Sequence, residues 1–150
     1  MKTATRKKTT AKAGDAALRA VQLPPLGAEW PGEGGIFVGI RKLDGKDVAV
    51  IVPTESASDI AAAAWKDAIT KAAAFKTKQH QDFVAADRVD LYLAYTHAPQ
   101  LFKKDWYWSS TPYAGTDDYA WFQSFNHGTQ NVFHKSYRYR ARAVRRLIIQ

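Results

Sequence analysis

The residues best suited to engage another molecule are crowded between positions 113 and 139. They are Tyr113, Tyr119, Ser124, His127, Thr129, Asn131, Phe133, His134, Ser136, Tyr137 and Tyr139. Tyrosine, serine, asparagine and histidine supply contact area and hydrogen bonds at small entropic cost, which is the chemistry of a recognition surface. Catalytic chemistry is harder to assemble. The histidines at 80, 97, 127 and 134 have no zinc-ligand spacing, and His127 and His134, beside turns, read as surface contacts that folding can make neighbours. Ser109-Ser110 lacks the flanking glycines of a nucleophile elbow. Asp117-Asp118 is the one tight acidic pair in the region, short of the oxygen cage that calcium takes. Gly32, Gly34 and Gly35 precede an apolar run without the Lys-Ser or Lys-Thr of a phosphate loop, so they read as a tight turn into a strand. Without cysteine there are no disulfides, thiolate metal sites or cysteine nucleophiles. The expectation is a binding protein rather than an enzyme, with no cofactor and no metal.

Something must hold those residues in place. A chain of 150 residues, 46% hydrophobic and 13% aromatic, suits one domain with a sizeable core. No apolar run approaches the roughly 18 residues of a membrane span. The basic start is not followed by the apolar stretch of a secretion signal, so synthesis in the cytoplasm is expected, with a virion or a cell surface as later destinations. The formal charge of +8 belongs to the two ends. Residues 1–13 carry five cations and residues 135–150 carry six, both without acids, while the middle holds 11 cations against all 14 acids. We therefore expect a disordered basic arm over 1–15 and a folded domain over 16–150.

Within that domain, the Asp44-Gly45 turn predicts a hairpin between the apolar runs 35–40 and 48–53. Ser56 or Ser58 as cap, with Ala61, Trp65, Ala68, Ile69, Ala72 and Phe75 at helical spacing, predicts a helix over 56–75. A second helix is expected from about Asp87 through Leu93, ending before Pro99, its aromatics in the core. Strands are expected over 119–125, 130–133 and 137–147, joined by Asn126-His127-Gly128 and His134-Lys135-Ser136. Alternation puts Arg138, Arg140 and Arg142 on one face of the last strand and Tyr139, Ala141 and Ala143 on the other. Trp108 and Trp121 read as core.

The segments WYWSST at 106–111, YAWFQSFNHGTQNVFHKS at 119–136 and RARAVRRL at 140–147 carry a resemblance. They resemble a family of bacterial and phage proteins of unknown function with a C-type-lectin-like fold. That family is similar to the carboxy-terminal domain of a collagen-like adhesin called Lcl and, more distantly, to formylglycine-generating enzymes. The likeness continues weakly through 23–40 and 82–102, where Val84-Ala85-Ala86 departs from the usual Leu-Pro-Thr or Leu-Pro-Ser. The resemblance implies an α+β, C-type-lectin-like fold with two helices packed on short antiparallel sheets. The oxidase activity of the distant relatives needs copper-binding cysteines and is not implied. The same ending resembles the variable proteins of diversity-generating retroelements, in which adenine-directed mutagenesis diversifies a lectin-like surface, often for phage receptor binding. Such codons cannot yield Lys, Glu, Gln, Trp or Met. Ser124, His127, Thr129, Asn131, Val132, Phe133, His134, Ser136, Tyr137 and Tyr139 are all of permitted types.

The favoured expectation is a recognition module that contacts a protein or glycan through 112–140. Two readings compete with it. One is nucleic-acid binding by the basic arm and the Arg138/Arg140/Arg142 row. The other is a structural virion or assembly protein whose exposed aromatics bury against identical subunits as a homo-oligomer.

Overall fold

Asp44 and Gly45 both take positive φ, 51° and 78°. This is the backbone of a two-residue turn whose twist matches the strands it joins. It folds β2 (Gly35–Leu43) back on β3 (Lys46–Val52), as the sequence predicts. The computed structural model describes residues 22–149, so the expected basic arm and residues 16–21 of the expected domain lie outside the described residues. The described chain is α+β, with two α-helices and nine strands. Among these residues no helix is long and apolar enough to cross a membrane.

The strands join into one mixed sheet rather than several short antiparallel ones. Its main path runs β1 (Glu29–Trp30), β2, β3, β9 (Tyr139–Ile148), β6 (Trp106–Pro112), β7 (Tyr119–Ser124), β8 (Gln130–His134). β4 (Asp59–Ala63) and β5 (Phe83–Ala85) also pair with β9, which is the hub of the sheet. The β6–β9 contact is parallel, at Tyr107 and Arg140.

The helix expected over 56–75 is only partly present. Residues Ser56–Ser58 make a 3-10 turn, β4 follows, and α1 spans Trp65–Ala73. The alanines at 61–63 have good helix propensity, but propensity is worth tenths of a kcal/mol per residue and tertiary pairing outweighs it. Here β4 pairs with the start of β9, and Asp59 meets Arg140 and Arg142 there. The second helix, α2 (Arg88–His97), matches expectation. Asp87 caps it by accepting the Val89 and Asp90 amides, while Asp90 accepts the Asp87 amide in return.

Two apolar clusters lie on opposite faces of the sheet. Val38, Val50, Val52, Leu91, Ala94, Tyr107, Phe125 and Val144 form one, beneath α2. Ala63, Ala68, Ala72, Trp108, Ala120, Phe122 and Ala141 form the other, beneath α1. The period of two along β6 sends Tyr107 to the first and Trp108 to the second, and both are fully buried. Tyr107 brings a polar atom inward, where its hydroxyl donates to Asp59 at 2.7 Å and accepts the Lys103 amide at 3.0 Å. Burial and the Asp59 contact push this phenol well above its ordinary pKa, so it remains a donor. Tyr107→Phe should cost about 1–3 kcal/mol, because the Asp59 oxygen and the Lys103 amide lose their partner. Denaturant unfolding of the variant measures that loss directly.

Candidate functional site

The β7–β8 hairpin carries most of the predicted contact residues, and its turn explains one that does not face solvent. Ser124 is 2% exposed, and its Oγ accepts the Asn126 and His127 amides. It shapes the turn instead of meeting a ligand. Gly128 completes that turn at φ 81°, where an added Cβ would lie 2.6 Å from the Tyr95 ring. Tight reversal and close approach together exclude a side chain there.

The hairpin then separates the predicted residues into two groups. His127 and Thr129 are exposed at the turn end. Tyr113, Tyr119, His134, Ser136 and Tyr137 gather at the other end, where the Tyr113 amide donates to the Tyr119 carbonyl and the Lys135 amide to that of Asp118. His127 and His134 therefore sit at opposite ends of β8, and folding does not make them neighbours. Asn131 is exposed between the two groups, its Oδ1 accepting the Val132 amide.

At the gathered end each exposed aromatic is braced by another ring. Tyr137, 50% exposed, stacks on Phe133 with centroids 4.6 Å apart and planes 18° from parallel. Phe133 in turn stacks toward Phe122 and Trp106, and Tyr139 closes the group from β9. Tyr139 is half-buried; burial, with the nearby Tyr137, pushes its hydroxyl up to about 12. It supports the column more than it presents itself. On the opposite face Tyr113 meets Trp121 edge to face at 6.0 Å, and Tyr119 meets the His134 ring edge to face at 5.6 Å. His134 Nδ1 lies 2.8 Å from Ser136 Oγ and accepts the Ser136 amide at 3.1 Å, fixing the loop that presents Tyr137.

Trp108 is core, as expected, but Trp121 is not. Trp121 is half-buried, and the Arg88 guanidinium lies 3.4 Å above its ring. Arg88 Nε donates to Gln130 Oε1, and Gln130 Nε2 donates to the Arg88 carbonyl and to buried Gln123. Beside this network is an open groove of about 460 Å³ lined by Arg88, Val89, Tyr92, Leu93 and Gln130. Tyr92 is 56% exposed, so an aromatic that the sequence assigns to the core faces solvent. The Val89-Tyr92-Leu93 spacing reads as an apolar helix stripe and gave no sign that this side of α2 is uncovered.

The arginine row is largely spent on the interior. Arg140 Nε donates to Asp59 at 2.8 Å. Arg142 is 3% exposed and donates to the Pro53 and Leu101 carbonyls, near Asp59. Burial pushes its guanidinium pKa down. Arg145 pairs with Glu33 and Asp82, and Arg146 with Asp90 and Asp87. Arg138 is the member of the predicted row that remains exposed, and it donates to the Ala62 carbonyl. Among the described residues, no group of three or more His, Asp or Glu side chains is placed to hold a metal ion. No family model and no curated protein matches the chain.

Proposed function

We propose that this chain is a C-type-lectin-like recognition module that binds a protein or glycan through the open end of its β7–β8 hairpin. The surface is of the kind that phage and retroelement variable proteins display. The observation that carries the reading is the bracing of exposed Tyr113 and Tyr137 by Trp121 and Phe133. Rings held in place before binding lose little freedom on contact, so more of their contact energy appears as affinity. The α+β architecture with two helices, one on each face of the sheet, is compatible with the lectin-like reading.

Nucleic-acid binding is the weaker reading, because Arg140 and Arg142 are committed to Asp59 and to carbonyls. The test is a binding screen of the full chain against glycans and cell-surface proteins, repeated with Tyr113→Ala and Tyr137→Ala. Each substitution should weaken binding about tenfold or more, with the unfolding midpoint close to that of the parent. Unchanged affinity for every ligand found would show that the surface is misassigned.

A further inference from the structure

β8 ends the main path of the sheet, with β7 as its hydrogen-bonded neighbour. Its hydrogen bonds to β7 define which way its backbone faces. The Ser124 amide donates to the Thr129 carbonyl and the Lys135 amide to that of Asp118. With Tyr119 opposite His134 and Gln123 opposite Gln130, antiparallel alternation makes Asn131 and Phe133 the residues bonded to β7. Gln130, Val132 and His134 then turn their amides and carbonyls outward. The Val132 amide agrees, donating to Asn131 Oδ1 instead of to β7.

Natural edge strands are blunted by charge, proline, bulges or a covering element. β8 reads Gln-Asn-Val-Phe-His, with no fixed charge and no proline, and its register with β7 runs without a shift. Other free edges differ. β1 has two residues and β5 three, and α1 packs against β4.

We propose that β8 is the seam of a two-fold homodimer, pairing antiparallel with β8 of a second copy about Val132. A second copy fits because the strand is complementary to itself. Centring on Val132 places Gln130 opposite His134 of the partner subunit and Asn131 opposite the partner subunit's Phe133, with no like charges facing. The outward groups of Gln130, Val132 and His134 fall in register for ladder bonds, the Val132 amide exchanging Asn131 Oδ1 for a carbonyl of the second copy and the His134 carbonyl keeping the Tyr137 amide as well. The two Phe133 rings become diagonal neighbours, about 7–8 Å apart at the backbone, so the Phe133–Tyr137 stacks merge into one strip across the dyad. The pairing closes on itself, which limits growth to a dimer. It uses the edge and leaves both hairpin faces open, so it stands independently of the ligand-binding proposal.

Sedimentation equilibrium of the full chain, up to about 0.5 mM, tests this. The mass should rise from 16.7 kDa toward twice that value with concentration. Val132→Lys sets like charges together on the dyad, and Val132→Pro removes an outward amide that β7 does not use. Each should raise the dissociation constant at least about tenfold while near-ultraviolet circular dichroism keeps its folded signature. In the unmodified chain, amide exchange over 130–134 should slow as concentration rises. A chain that stays monomeric, variants that dimerise as well as the parent, or exchange over 130–134 that ignores concentration would each overturn the proposal. A monomer would leave the edge free for an extended peptide of another protein.

Discussion

Asp90→Ala should remove about 3–5 kcal/mol of folding stability, the cost of taking the buried carboxylate out of a network in which Asp87 alone then faces Arg41 and Arg146. Asp90 is fully buried and accepts from Arg41 at 2.9 Å and from Arg146 at 2.6 Å, besides the Asp87 amide. One carboxylate thus joins α2 to β2 and to the hub strand. Domains of this size are stable by only about 5–15 kcal/mol, so the variant should sit near the edge of folding. Asp90→Asn keeps the shape and one acceptor, and should recover part of the loss. Chemical denaturation of the three proteins gives the comparison.

The same network sets the acid limit. Burial pushes the Asp87 carboxyl up, but hydrogen bonds from Arg41 and the Asp90 amide, with the charges of Arg41 and Arg146, leave it below the ordinary aspartate value. A carboxylate with a depressed folded pKa adds stability that is present above its unfolded value, about 3.9, and lost as pH falls through the folded one. The Asp87 contribution should therefore hold at neutral pH and fade only below about pH 4.

Trp108→Ala is the second large effect, expected at about 3–5 kcal/mol for a fully buried tryptophan. The ring fills the cluster beneath α1 and packs on Tyr139 at 4.9 Å. Its indole N–H also lies within 3.2 Å of the Ala63 carbonyl and 3.3 Å of the Tyr137 carbonyl. The core is thereby tied to the loop that presents Tyr137. Trp108→Phe keeps much of the volume and releases that tie. It should cost less stability than alanine yet speed amide exchange across 135–138, whereas equal exchange would mean the Phe133 stack and the His134–Ser136 bonds hold the loop without the indole.

Much of the framework could be read from local signals. Asp44-Gly45 marked the first hairpin and Asp87 the start of α2, because turn and cap chemistry act within a few residues. The Asn126-His127-Gly128 turn located β7 and β8, and aromatic bulk put Trp108 inside. The alanine run at 61–64 misled for the same reason it is ambiguous, since alanine suits a helix and its small side chain fits equally well beside β9. The arginines showed a different limit. Their shared face was visible, but their partners lie far away in sequence, with Arg145 meeting Glu33 across 112 positions. The same is true of the site. Its residue types were visible, but Ser124 turning inward and Tyr92 and Arg88 reaching the outer surface depend on how α2 lies against β7.

On the proposed function, a surface suited to contact rides on a scaffold that does not need it. Saturation mutagenesis of 112–140, sorted for folded protein by protease resistance, tests this most directly. Tyr113, His127, Thr129, Asn131, Ser136 and Tyr137 should accept most residues without loss of fold, while Ala120, Phe122, Gln123 and Ser124 should accept few. If the exposed set proved as intolerant as the buried set, those side chains would belong to the scaffold and the recognition reading would be contradicted.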